Sequence, residues 1–176
     1  MKRSYKVSIS SQGFSTLLHA VEEYEAWLEE RSRILLARLA ELGCENARVR
    51  FGEAQYDGTN DVEVHVEPKG DRVAAVVATG QAVLFIEFGS GVSYLNDHPE
   101  AAINGFWHGD YGHGFGALPG GWRYPLENGL GTNGTIDTDH PGYAHTYGNP
   151  ANMSMYNTVK MLREKLPELA REVFSS

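Results

Sequence analysis

The stretch GFWHGDYGHGFG, Gly105 to Gly116, sets two histidines, one aspartate, four aromatic rings and five glycines in a dozen positions. His108, Asp110 and His113 are metal-ligand types, and an ion held between them would activate a water for hydrolysis. That chemistry needs ligands fixed in a polyhedron, usually by histidines at i and i+4 on a helix or by a tight cysteine knuckle. Here the spacing is i, i+2 and i+5 across glycines, which presets nothing. The sequence therefore predicts no metal and no cofactor. A metal-dependent hydrolytic enzyme using this His/Asp loop is the rival reading, and the metal content of untagged protein separates the two.

Other chemistries find less support. Cys44 is the only cysteine and has no partner motif around it, so it reads as a structural thiol. No GxSxG, HExxH or glycine-lysine phosphate loop occurs, and the GSG at Gly89 to Gly91 reads as a turn. No catalytic residue is assigned. Trp107, Tyr111, Phe115, Trp122 and Tyr124, interleaved with glycine, fit a glycan-binding module, but contact rings at protein interfaces look the same. Stacking on single-stranded nucleic acid wants accompanying bases, and the segment holds one, Arg123.

The chain has 176 residues, 41% of them hydrophobic and 22% charged. That suits one globular domain, residues 1–176, able to bury about 70% of its unfolded surface. The net charge of −8 leaves no basic stripe for phosphates, so sequence-specific nucleic-acid binding is not expected. A position near DNA without gripping it is compatible. The N-terminal stretch lacks the apolar segment of a secretory signal, and no apolar run approaches the roughly 20 residues that span a bilayer. No membrane partner is expected, and the reading is a protein made in a cytoplasm.

Around these residues the chain falls into zones. SYKVSIS, Ser4 to Ser10, alternates like a short strand. From about Phe14 to Leu42 the period becomes helical, with Val21, Leu28, Leu35 and Leu42 at steps of seven and Leu17, Leu18, Tyr24, Trp27, Ile34 and Leu39 widening the stripe. Gly43 reads as its stop, for a helix about 43 Å long. Glu29 and Arg33 form an i,i+4 pair. One stripe of this kind serves the domain's own sheet; a neighbouring subunit is the sharper alternative. ARVRF (Ala47 to Phe51), DVEVHVE, RVAAVVATG and AVLFIEFG (to Gly89) read as strands, with PKGD as a hairpin turn and His65 facing solvent. Ser154 to about Phe174 reads as a closing helix with Ser154 as N-cap. Met155, Val159, Leu162, Leu166, Leu169 and Val173 form its buried side, and Pro167 is expected to kink or break it near Lys165. The fold class is α+β, two helices packed on an antiparallel sheet.

Ser90 to Tyr147 stands apart. It holds 12 of the 20 glycines, 4 of the 7 prolines and 5 of the 7 histidines, and apart from a short strand in GWRYPL it shows no regular period. Residues 90–147 thus read as an extended, acidic loop insertion, a form normally functional or disordered.

YDGTNDVEV, VLFIEFGSGV, the glycine-rich insertion and GYAHTYGNPANMSMY, in that order, resemble a tail-component family of long-tailed bacteriophages, the minor tail, tail-completion or head–tail joining proteins. The resemblance covers essentially the whole chain. It implies a non-enzymatic virion subunit, made in the bacterial cytoplasm and acting in the tail or neck. Its partners would be itself in a ring, hexameric in many members, and other phage tail, tail-terminator or connector proteins. Ile86, Glu87, Phe88, Gly89 and Gly91 match the family's strand-end motif, and Gly148, Asn149, Pro150 and Ala151 its turn before the last helix. With Trp107, Trp122 and Tyr124, these are the expected subunit contacts. One departure is that many members carry Arg-Pro-Phe after that proline, where this chain has Ala151-Asn152-Met153.

Overall fold

The structure is a computed structural model that describes residues 6–54, 60–91, 98–106 and 120–175. It has the α+β architecture: helix α1 (Ser11–Gly52), strands β1 (Glu63–Pro68) and β2 (Ala74–Thr79), short helices α2 (Val83–Phe88) and α3 (Ala101–Asn104), strands β3 (Trp122–Pro125), β4 (Gly134–Ile136) and β5 (Tyr143–Thr146), and helix α4 (Ser154–Ser175). Two antiparallel sheets result, a β1–β2 hairpin and a β3–β5–β4 sheet. Among the described residues no helix is long and apolar enough to cross a membrane.

Helix α1 begins at Ser10, whose side chain accepts the N–H of Gly13 at 3.1 Å. It does not stop at Gly43 but continues to Gly52, about 63 Å of helix. The segment read as the strand ARVRF is its last turns. Alternation in that pentapeptide is outweighed by a helical series of buried residues, Ala40, Gly43, Cys44, Ala47 and Phe51. Gly43 is a crossing point instead: a Cβ there would lie 2.9 Å from Leu162 Cδ1 and 3.1 Å from Val76 Cγ2. Asn60 closes the helix end, donating to the carbonyls of Phe51 (2.6 Å) and Ala54 (2.7 Å). Glu29 reaches Arg72 at 2.8 Å and Arg33 takes Glu30 at 4.0 Å, so the Glu29–Arg33 pair does not form.

Helix α4 runs antiparallel along the C-terminal half of α1. Thr158 bonds Asn46 (3.0 Å), Leu162 sits over Gly43, Arg38 reaches Glu172 (3.3 Å), and the ring of Phe174 meets Trp27 edge-on. Of the kink or break expected at Pro167, the break does not occur: the helix runs on through it. Pro167 lies on the exposed face, between the Leu162 and Phe174 contacts that pin the helix on either side. Val159 and Leu166, read as buried, are exposed.

The core sits where α1, the hairpin, α2 and the start of α4 meet: Cys44, Ala47, Phe51, Ala54, Val64 and Ile86, with Val76 and Met155 packed on it. Cys44 is buried and its thiol faces the Val64 carbonyl at 3.5 Å. The hairpin and the exposure of His65 follow the sequence reading. No strand forms over residues 6–10.

AVLFIEFG is helical rather than a strand. Its start is fixed by Asp61, whose carboxyl accepts the N–H groups of Gln81 (2.7 Å) and Ala82 (3.0 Å); these bonds hold it below the usual carboxylate range. A carboxyl whose folded pKa is depressed stabilises the fold above its unfolded value near pH 4, and that contribution is lost as pH falls from there. Asp61→Ala is expected to destabilise the chain at neutral pH by less than about 1 kcal/mol, because the carboxyl is exposed and screened by solvent. In urea titrations the gap to the parent should narrow below about pH 4. A constant gap down to about pH 2.5 would contradict this assignment.

The segment from residue 90 to 147 is not loop alone. Besides α3 it carries the whole β3–β5–β4 sheet, with Tyr124 opposite Ala144 in β5 and Gly134 opposite Thr146. Glycine permits this packing at Gly134, where a Cβ would collide with the Tyr124 hydroxyl. Arg123 and Asp137 pair across the sheet surface. The Arg123 guanidinium, helped by His140 and the Asp139 N–H, holds the Asp137 carboxyl well below its usual range.

Candidate assembly site

The two motifs expected at subunit contacts lie 57 residues apart in sequence and meet inside the chain. Ser90 and Asn149 exchange backbone hydrogen bonds (Ser90 N–H to Asn149 at 2.8 Å, Asn149 N–H to Ser90 at 3.0 Å). The last turn of α2 continues the contact: the Ile86 carbonyl accepts Asn152 N–H and the Glu87 carbonyl accepts Met153 N–H. Three glycines make the approach feasible. A Cβ on Gly89 would lie 2.8 Å from the Asn149 carbonyl oxygen, on Gly91 2.3 Å from that of Tyr147, and on Gly148 2.1 Å from that of Ser90. All three also have positive φ, a conformation cheap only for glycine.

Glu87 then ties this junction to α4. Its buried carboxylate accepts the N–H of Met155 (2.7 Å) and of Tyr156 (2.9 Å), the first turn of the helix. Ser154, read as the N-cap, is instead the first helical residue, buried with its hydroxyl bonded to Asn152. The capping group comes from far away in sequence and brings charge to the positive end of the helix. His98 completes the cluster. Its Nδ1 accepts the Glu100 N–H (3.1 Å), so the ring proton sits on Nε2, which donates to Glu87 (3.1 Å). Phe88 and Tyr156 pack on the imidazole, and Phe106 packs on Phe88. Ser90 is buried nearby in sequence, and among the described residues its hydroxyl has no hydrogen-bond partner.

The expected contact residues divide accordingly. Glu87, Phe88, Gly89, Gly91, Gly148 and Asn149 are buried in the chain's own junction, and Tyr124 is buried under the small sheet, its hydroxyl accepting the Gly131 N–H. Pro150 is exposed and Trp122 half-buried. Trp107, with His108, Asp110 and His113, lies outside the described residues. Among those described, no group of three or more histidine, cysteine or acidic side chains is arranged to hold an ion.

A second surface was hidden in the helical stripe. Helix α4 ends at Ser175, beside Trp27 through Phe174. The sixteen residues of α1 before Trp27 extend about 24 Å past that end. From Phe14 to Ala26 every residue is exposed except the half-buried Leu17 and Ala20. Val21 and Leu28, read as core, are 49% and 41% exposed. The stripe is buried only where α4 and the hairpin reach it.

No family model, curated protein or solved structure matches the chain.

Proposed function

We propose that the chain is a non-enzymatic structural subunit of a long-tailed phage virion, at the tail-completion or head–tail joining position, working in a ring of copies. The observation that carries assembly is the α1 arm. A folded chain does not normally leave a continuous apolar helical stripe in water, and such a surface marks a protein contact. The resemblance supplies which assembly. It is supported by the way its two motifs interlock as one junction, since matching segments that fold together form a unit rather than scattered similarities. An acidic subunit also suits a passage for DNA, which it would repel rather than hold.

The test is production of particles without this chain. Filled heads and unjoined or unfinished tails are expected in electron micrographs, and the chain is expected in purified wild-type tails by mass spectrometry. Normal joined particles made without it, or its absence from tails, would refute the proposal.

A further inference from the structure

Phe14, Leu18, Val21, Tyr24 and Leu28 follow one another at steps of four, three, three and four residues, one face of a helix. They are 62, 61, 49, 40 and 41% exposed. Between Ser11 and Glu30 the arm carries five glutamates, Glu22, Glu23, Glu25, Glu29 and Glu30, and no lysine or arginine. Arg72 meets Glu29, Arg33 meets Glu30, and among the described residues Glu22 and Glu23 pair with His19. At 3.6 residues per turn Glu25 falls within the stripe and Glu22 at its edge, whereas Glu23 and Glu30 lie on the opposite side of the helix. The stripe is thus apolar and acidic, with no lysine or arginine on the arm to balance it. Pairing it with the same stripe of another copy would set glutamates against glutamates in either orientation, which like charges on facing helices disfavour.

Helix α4 presents the complementary pattern. Val159 and Leu166 are 43% and 42% exposed, two turns apart. Lys160 and Arg163 lie beside and between them, both exposed. Neither is in an ion pair among the described residues, whereas Lys165 is held by Glu168. The arm cannot reach this face of its own chain. Val159 follows Thr158, which bonds Asn46, and Asn46 lies eighteen residues of rigid helix, about 27 Å, from Leu28.

We infer that the α1 arm docks on α4 of a second copy, its Phe14–Leu28 stripe covering Val159 and Leu166 while Glu25, within the stripe, and Glu22, at its edge, face Lys160 and Arg163. The inference rests on the reading of the chain as a self-assembling subunit. Because the two surfaces differ, each copy keeps one arm and one α4 face open, so copies add head to tail and close into a ring where the rotation allows. A contact of two to three helical turns is at the small end of stable interfaces. Association of isolated pairs is therefore weak and salt-sensitive, and closure strengthens it.

Sedimentation velocity of the full chain over a concentration series, at about 0.05 M and about 0.5 M salt, tests this. Concentration-dependent association that weakens with salt is expected. E22K/E25K and K160E/R163E are each expected to weaken it at least tenfold, and an equimolar mixture of the two variants to recover association, because the arm of each then meets the α4 face of the other with opposite charge. Circular dichroism of these surface variants should match the parent. The milder E22Q/E25Q separates the two pairings: it weakens the proposed contact and strengthens an arm-to-arm one. Association unaffected by the α4 variant, or strengthened by the glutamines, overturns the inference. So does a monomer at every concentration and salt. The proposed function is read separately, from presence in tails, so assembly through other surfaces would end this inference and leave that reading standing.

Discussion

Replacing Glu87 by alanine is expected to destabilise the chain by about 3–5 kcal/mol, the range for removing one partner of a buried ionic or charge-assisted cluster. The carboxylate is 6% exposed and accepts from Met155, Tyr156 and His98. Alanine leaves two helix N–H groups and an imidazole N–H without acceptors in the interior, and unsatisfied buried donors cost about 1–3 kcal/mol each. For a chain of this length, Tm should fall by about 6–20 °C. Glu87→Gln keeps one acceptor oxygen but presents an amide N–H₂ where the second oxygen accepted, so about half the loss is expected to remain. Hydrogen exchange adds a local readout, because the first turn of α4 should lose protection before its C-terminal half. Thermal unfolding of Glu87→Ala within about 2 °C of the parent would show that the α4 cap lies elsewhere.

Gly148→Ala is the second large effect. The added methyl would sit 2.1 Å from the Ser90 carbonyl oxygen, at φ +101. The oxygen cannot retreat cheaply, because the same carbonyl accepts the Asn149 N–H in the bridge. Strain at positive φ costs about 1–3 kcal/mol for a non-glycine residue, and the collision adds to it, so a loss above about 3 kcal/mol is expected. Gly142 is the control: it has a similar φ of +89 with nothing within 4 Å of its Cβ position, so Gly142→Ala should lose only the strain. Denaturant midpoints of the two variants measure the difference. Equal losses would mean the junction yields to accept the methyl.

The long helices, the hairpin and the α+β class were legible because their signals are periodic and local. Leu28, Leu35 and Leu42 announce a helix, and Val62, Val64 and Val66 a strand, whatever surrounds them. The end of α1 was misread because two patterns overlap there. Ala47 and Phe51 are four apart and both fully buried, yet the intervening Arg48, Val49 and Arg50 also alternate, and Gly43 resembles a stop when its packing partners are unseen. VLFIEF is too short for periodicity to decide between helix and strand. Asp61, about twenty residues upstream, makes the decision through hydrogen bonds that no local pattern contains. The Glu87–His98–α4 cluster shows the same limit more strongly. Each residue is unremarkable in its own segment, and only the tertiary fold sets a carboxylate against a helix end 67 residues later. The stripe on α1 was read correctly as apolar, but how much of it is covered depends on where α4 stops.

The pairing of α1 with α4 also sets the order in which the molecule can be built. Gly43, Asn46 and Trp27 are synthesised before their partners Leu162, Thr158 and Phe174. Until the final helix emerges, the inner face of α1 has only the hairpin and α2 to cover it. The α1–α4 contacts join residues far apart in the chain, so forming them carries a loop-closure cost that the contacts of the hairpin do not. A nascent chain of this design is exposed to holdase chaperones and to wrong pairings for most of its translation.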